Sequence, residues 1–252
     1  MILMDMNQVI LSSLFARLKN IEEVEEDMVR HIVLNTLRLY RNKFQSEYGE
    51  LVLTYDGGKY WRKDIFPYYK AARKARQNKD GYDWNKIFGL ISKIRNEVEE
   101  IFPYKTMIVS SDKDFQQLQR YKNVKQYSPK VKGLITNDKP EEYLIRHIIK
   151  GDVSDGIPNI ISDDDTFVNP DKRQKSCGEK KISSIAENLE GWTSNDNWLR
   201  NQKLVDFNQI PDWVEEKVLT SWEQPIEGKR NLLFNYFVKN KLKMLMEDIQ
   251  EF

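Results

Sequence analysis

Six acidic side chains at the ends of short motifs are the residues of this chain best suited to chemistry. Asp5 closes MILMD, Asp56 closes LVLTYD, and Asp112 and Asp114 close MIVSSDKD; a further pair, Asp152 and Asp155, stands in KGDVSDGIP. Carboxylates gathered in one place repel, by roughly 4 kcal/mol for two unit charges about 4 Å apart at an effective dielectric near 20. Such a cluster persists only if cations neutralise it or protons are taken up, and a hard divalent metal is the simplest partner. Asp112 and Asp114 fall on one side if extension continues, and Asp152 and Asp155, at i and i+3, face the same way if helical. Alone, D-x-D is most often a solvated turn or helix cap, and in isolation a helix stop with an Asx turn is the favoured reading of the second pair. Four acid-bearing elements in chain order are what single the set out.

Three of those acid-bearing runs read as β-strands separated by helix-like segments, which predicts an α/β fold around a parallel sheet. Ligands in such sheets bind outside the carboxyl ends of the strands, so the acids are expected to converge on one edge. The first strand spans residues 1–5 and a helix 7–18. Asp27 is the expected N-cap of a helix through Met28, Ile32, Leu34, Leu37 and Tyr40. Leu51–Tyr55 and Met107–Ser110 are the second and third strands. Asp83 caps a helix bearing Trp84, Ile87, Leu90, Ile91, Ile94 and Val98, and Phe115–Arg120 forms a short one.

Val124–Tyr127 and Leu134–Asn137 are extended pieces. A helix starts near Pro140 and stops at Lys150-Gly151. The polar stretch 162–181 predicts a mobile loop, and helices resume at Ile182–Leu189, Asp196–Asp206, Asp212–Ser221 and Gly228–Glu247. The change from strand–helix alternation to short helices places a boundary near residue 138, giving an α/β core over 1–137 and a helical region over 138–252.

Hydrophobic residues at 40% and aromatics at 12% suffice for a core, and 40 basic against 39 acidic side chains nearly cancel. The cancellation hides segregation: residues 59–79 hold eight basic side chains against Asp64 alone, and residues 22–27 hold five acids. Cys177 is the one cysteine, which excludes an intrachain disulfide and a cysteine-based zinc site. His31 and His147 are the only histidines, both on helices with apolar neighbours, and are read as structural. No leader and no apolar run of about 20 residues is evident, so a cytoplasmic protein with no membrane partner is expected.

KYWRKDIFPYYKAARKAR interleaves Lys59, Arg62, Lys63, Lys70, Arg73, Lys74 and Arg76 with Tyr60, Trp61, Phe66, Tyr68 and Tyr69. Phosphates require cations, and unpaired bases stack on aromatic faces at about 1–3 kcal/mol each, so the stretch suits a single strand. The alternative is an amphipathic helix with buried rings, which weighs most for Phe66 and Tyr68. Trp192, Trp198, Trp213 and Trp222 are assigned to the core of the C-terminal helices.

The stretches LMDMNQVILSS, MVRHIVLNT, VLTYDGGKYWRKDIFPYYKAARKAR, IVSSDKDFQQL, NVKQYSP, IIKGDVSDGIP, YFVKNKL and IQEF span nearly the whole chain. In that order they resemble the 5′-nucleases, a family that includes the flap endonucleases. The resemblance implies a parallel-sheet (PIN-like) core with a helical arch, and a C-terminal region containing a helix–three-turn–helix motif. It implies a monomeric, metal-dependent enzyme acting from 5′ ends or flaps of DNA and RNA–DNA hybrids, removing RNA primers during phage DNA replication. A phage single-strand-binding protein and a sliding clamp are implied partners.

Matched by motif, Asp5, Asp56 and Asp112 would serve one metal and Asp114, Asp152 and Asp155 a second, partly through water. Two Mg²⁺ ions suit these oxygen donors, with Mn²⁺ as a substitute. Lys70 and Arg73 match a phosphate-contacting K-x-x-R pattern and would act with Asp5 and Asp56 in catalysis. Lys59, Tyr60, Trp61, Arg62, Tyr69, Lys74 and Arg76 would line the strand path. Gly151 and Gly156 would let a duplex backbone approach; Gly156 stands where the family pattern has Asn.

One departure matters. The family pattern carries a strand and an acid-rich helix before SSD-x-D, whereas here Phe102-Pro103-Tyr104-Lys105-Thr106 passes directly into that strand. The loss of a ligand shared between metals sets a second reading, a structure-specific nucleic-acid-binding module with impaired catalysis.

Overall fold

The structure is a computed structural model that describes residues 1–17, 25–55, 60–77, 82–101, 110, 112–122, 124–224 and 229–252. Strand β1 (Ile2–Asp5) pairs in parallel with β2 (Leu51–Thr54), with Ile2 opposite Leu51 and Asp5 opposite Thr54. A parallel pair needs a crossover, supplied here by α1 (Met6–Arg17) and the long α2 (Glu26–Tyr48). Helix α2 buries Val29, Val33, Leu37, Tyr40 and Phe44, the three-and-four spacing of one helical face. Glu25, not Asp27, is its N-cap residue; Asp27 lies in the first turn, where its carboxylate meets Arg30 Nη1 at 2.8 Å. Residues 107–109 of the expected third strand lie outside the described residues.

Helix α5 (Trp84–Ile101) begins after Asp83, whose carboxylate accepts from Lys86 N at 3.0 Å as a cap should. It packs on α2 and is tied there by Glu97, which accepts from Arg30 and, at 2.6 Å, from Tyr236 Oη. Two short helices, α3 (Trp61–Ile65) and α4 (Ala71–Gln77), carry the basic aromatic stretch. Past the acid-bearing corner at 110–114, β3 (Gln126–Ser128) and β4 (Gly133–Ile135) form an antiparallel pair.

The rest is helical: α6 (Pro140–Lys150), α7 (Glu179–Glu187), α8 (Asp196–Val205), α9 (Asp212–Glu223), α10 (Leu233–Lys239) and α11 (Lys243–Met246). Pro140 sits in the first turn of α6, where a missing N–H costs nothing. Where one helix was expected over Gly228–Glu247, the described residues break between α10 and α11. Leu242 N donates back to Phe237 O at 2.9 Å and Lys241 adopts φ 54°, a left-handed stop that turns Leu242 into the core.

Two clusters of buried side chains divide the molecule. The first is built on β1, β2, α1, α2 and α5, and is completed by Leu233, Phe237, Leu242, Leu245 and Phe252 from the far end of the chain. The second gathers Ile148, Ile149, Ile157, Ile182, Trp198 and Leu204 from the helical region, with Phe66 and Tyr69 from the basic stretch. Both cores therefore draw residues from each side of residue 138. The second is laced with polar bonds: Asn201 Nδ2 donates to Ile148 O at 2.8 Å and Pro158 O at 2.9 Å, and Gln117 Nε2 donates to Val205 O at 3.1 Å. These lock the 151–160 turn and the segment after Asp112 onto α8.

The stretch expected to be mobile is pinned. Asn159 Nδ2 donates to Lys175 O, Lys175 N donates to Ser162 Oγ, and Lys172 pairs with Asp163 and Asp165. Of the tryptophans assigned to the core, Trp198 is buried, but Trp213 and Trp222 remain 44% and 42% exposed on α9. Nine residues apart, they lie about 180° around the helix from each other, so one core could not have taken both.

Candidate metal centre

Strand β1 delivers Asp5 at its carboxyl end, where Oδ1 accepts from Gln8 N at 3.0 Å and Oδ2 from Ser110 Oγ at 3.2 Å. The buried Ser110 hydroxyl also accepts from Asp112 N at 3.1 Å. One hydroxyl thus spans two of the acid-bearing elements. Gln126 Nε2 on β3 fixes the corner by donating to Ser110 O at 3.0 Å and Asp112 O at 2.7 Å. Asp56 and Lys59 lie outside the described residues.

Extension beyond Asp112 would have put Asp112 and Asp114 on one side. Instead the chain turns into a 3-10 helix, Lys113–Arg120, capped by Asp112, whose Oδ1 accepts from Asp114 N at 3.0 Å. Asp112 is exposed, while Asp114 turns inward and its Oδ1 is buried without a hydrogen-bond partner. Burial first, then the charge of Asp112, pushes the Asp114 carboxyl up to about 7, with His147 opposing.

The pair Asp152 and Asp155 does not lie in an α-helix either. Asp152 caps a single 3-10 turn, Val153–Asp155, accepting from Ser154 N at 2.8 Å and Ser154 Oγ at 2.6 Å. Its other oxygen lies 3.0 Å from Lys113 Nζ and 3.7 Å from His147 Nε2. Burial works against its ionisation, but His147, Ser154 and Lys113 together hold the carboxyl well below the usual range. Asp155 points to other partners: Tyr69 Oη donates to it at 2.8 Å, Arg73 Nη2 lies at 2.7 Å and Lys70 Nζ at 3.5 Å. The backbone joins here too, Lys70 N donating to Asp155 O at 2.7 Å. Lys70 holds φ 58°, a left-handed conformation costly for a residue with a Cβ.

His147, assigned from the sequence to the core, sits between the acids. It is only 6% exposed, and neither ring nitrogen has a hydrogen-bond partner. Nδ1 lies 3.5 Å from Asp114 Oδ1, and ligand atoms of Asp114, His147 and Asp152 all fall within 4.8 Å of one another. Apolar neighbours on α6 concealed it; the one available signal was its place in the helix turn that ends just before Asp152. Lys113, between the two acids of D-K-D, was likewise passed over.

The basic stretch divides by depth. Trp61 and Tyr69 are buried, the latter with its hydroxyl raised far above its ordinary value, by burial first and then by Asp155. Arg62 Nε donates to Leu204 O at 2.8 Å, which ties α3 to α8. Tyr60 is exposed. Lys74 and Arg76 fall within α4. Gly151 (φ 66°) has no room for a Cβ, which would stand 2.4 Å from both Ile157 O and Pro158 O. At Gly156 (φ 75°) a Cβ would stand 3.1 Å from Tyr68 O, so the turn and the basic stretch touch through backbone. Beside Asp152 a cleft of about 450 Å³ is lined by Lys113, Lys150 and Lys175 among others.

The fold has counterparts in known proteins. The solved structure of the T5 D15 protein co-crystallised with metal ions superposes with a TM-score of 0.57 over 87% of this chain and 95% of that one, at 15% identity. T5 5′-exonuclease with bound zinc ions gives 0.56 over 96% of this chain and 98% of that one, at 16% identity. The chain therefore has the 5′-nuclease fold. By sequence it is a relative of ribonuclease H of Enterobacteria phage T4, 29% identical over 99% of this chain and 95% of that protein. The family model described as T4 RNase H, C terminal, matches residues 138–252. The alignment with the T4 protein runs over 292 positions, so at least 40 of them have no residue of this 252-residue chain.

Proposed function

We propose that this chain is a divalent-metal-dependent 5′→3′ exonuclease and flap endonuclease of DNA and RNA–DNA duplexes, removing RNA primers during phage DNA replication in the host cytoplasm. The observation that supports it is a run of contacts: the Ser110 hydroxyl joins Asp5 to the backbone of Asp112, Asp112 caps the turn that carries Asp114, and the Asp114 carboxyl feels the charges of Asp112, Asp152 and Asp155. The names of the T4 and T5 relatives supply the reaction class. No helix among the described residues is long and apolar enough to cross a membrane. The single-strand-binding protein and the clamp rest on the resemblance alone, as does the monomeric state.

The donor set fits a cation: Asp114 Oδ1 is a buried acceptor with nothing to accept from, at a carboxyl that burial makes harder to ionise. Asp5, Asp56 and Asp112 would hold one ion, and Asp114, Asp152 and Asp155 the other, in part through water; Mg²⁺ is the expected species, with Mn²⁺ a substitute. Bound ions of this kind activate water and stabilise the leaving oxygen. Lys70 and Arg73, gathered at Asp155, would orient the scissile phosphate and offset the charge that develops on it. Exposed Tyr60, with Lys59, Lys74 and Arg76, would guide the single strand, while buried Trp61 and Tyr69 and the bonded Arg62 would shape that path from beneath. The lysine-lined cleft beside Gly151 would take the duplex backbone.

A labelled 5′-flap duplex incubated with Mg²⁺ tests the proposal, with Asp56→Ala alongside. Cleavage by the parent and its loss in the variant supports the enzyme. A second reading, a binding module lacking a shared metal ligand, rests on the direct passage through Phe102-Pro103-Tyr104-Lys105-Thr106, and on it both proteins would bind the flap and neither would cut it.

A further inference from the structure

A buried imidazole with two unpartnered nitrogens is expensive, because a lost hydrogen bond to a buried polar atom costs about 1–3 kcal/mol. His147 carries two such atoms, and Asp114 Oδ1, 3.5 Å from Nδ1, is a third. Three unsatisfied atoms in one small volume describe a place built for something to enter. The histidine is held on the last turn of α6 by flanking Ile148 and Ile149, both in the core, with the Tyr143 ring 5.7 Å away. Its direction is therefore not free to relax.

We propose that His147 is a metal ligand, so that the second cation position of this chain has a mixed nitrogen–oxygen donor set, with Asp114 and Asp152, that selects Mn²⁺ or a later transition metal over Mg²⁺. The inference rests on the metal-dependent reading above and changes it at this one position, where His147 takes the place of Asp155 among the donors and Mn²⁺ that of Mg²⁺ as the preferred ion. Oxygen-only sites suit Mg²⁺, which keeps several waters and demands near-ideal octahedral geometry. An imidazole donor favours first-row transition ions instead, in an order that rises from Mn²⁺ to Cu²⁺. Separations of 3.5 Å from Nδ1 to Asp114 and 3.7 Å from Nε2 to Asp152 leave room for an ion at bonding distance from nitrogen and a neighbouring oxygen. Lys113 Nζ, 3.0 Å from Asp152, is the cation that would have to withdraw, and its half-exposed side chain has solvent to withdraw into.

Mn²⁺ titrated into the metal-free full chain, followed by electron spin-echo envelope modulation, reads the ligand directly. Nitrogen-14 modulation from a bound imidazole is expected, and growth on ¹⁵N-histidine should convert it to the nitrogen-15 pattern. With two histidines in the chain, His31→Gln must keep the signal and His147→Gln must lose it. Loss of even a residue that only orients a ligand costs 10–100-fold in affinity, so His147→Gln should weaken Mn²⁺ at this position by at least about tenfold and Mg²⁺ by less than about twofold. Mn²⁺ bound without nitrogen modulation in the parent overturns the inference and leaves the metal-dependent reading intact. No Mn²⁺ bound at all sinks that reading as well. Because the parent's own spectrum decides, a misfolded His147 variant does not blunt the test.

Discussion

The two flanks of the acid cluster solve one electrostatic problem in opposite ways. On the side of the basic stretch, Asp155 is fully engaged, with a tyrosine hydroxyl, a guanidinium and an ammonium around one carboxylate. On the side of α6, Asp114 and His147 keep buried polar atoms without partners, and only Asp152 has a lysine. The first flank is complete as it stands and holds α4 against the 151–156 turn. The second is incomplete, and incompleteness is what a binding site requires. Neighbouring carboxylates thus differ in how much of their hydrogen-bonding capacity the protein itself fills.

The turn joining the flanks is where disruption should be greatest. Gly151→Ala would force a Cβ to 2.4 Å from two carbonyl oxygens at a left-handed φ, and a loss of about 4 kcal/mol or more is expected, read as a collapse of the denaturant midpoint. A fall below about 1 kcal/mol would mean that the turn repacks easily and the flanks are not rigidly linked.

Next is the sign of Asp114→Asn in metal-free protein. Its carboxyl titrates near 7 when folded against 3.8 unfolded, so the native state holds an extra proton between those values. Raising pH through that window removes the proton and costs stability; below about 4 the penalty is absent and above about 7 it is constant. At about 1.4 kcal/mol per unit, Asp114→Asn should stabilise the chain by up to about 4 kcal/mol at pH 8, by about 1 kcal/mol at pH 4.5 and by almost nothing at pH 3, in chelator. Asp152, held below its ordinary range, contributes stability that is lost only as pH falls below about 4. A destabilised Asp114→Asn at pH 8 would erase the contrast between flanks.

Asp155→Asn should do the reverse and destabilise by about 1–2 kcal/mol. The figure is kept small because Arg73 is half-exposed, and most of it comes from the buried Tyr69 hydroxyl. Smallest is the backbone at Lys70: Lys70→Gly should be more stable than Lys70→Ala by about 0.5–1 kcal/mol, because φ 58° suits glycine. Both variants should slow flap cleavage far more than they weaken flap binding; equal losses would remove Lys70 from the proposed role at the phosphate.

The end of β1 was the legible part of this region. Asp5 follows from an apolar run that stops at an acid, and the Ser110 hydroxyl links it to the backbone of Asp112. What the pattern concealed was direction. Spacing rules assume a regular element, and both D-K-D and D-V-S-D lie in short 3-10 turns where the first acid caps the backbone. His147 was hidden for another reason: burial among isoleucines is what a structural histidine and a ligand have in common. The helical region was legible in outline, from Pro140 and Gly151 onward. It was wrong in detail where burial on α9 was inferred from residue type without regard to face.

The interleaved cores carry a consequence for how this polypeptide is made. Phe237 and Phe252, with rings 5.2 Å apart, close a cavity begun by β1 more than 200 residues earlier, while Phe66 and Tyr69 wait for α6 and α8. A nascent chain leaving the ribosome cannot finish either half alone. Severing it near residue 138 would leave two fragments, each with greasy faces cut from the other, and their solubility should return only on mixing.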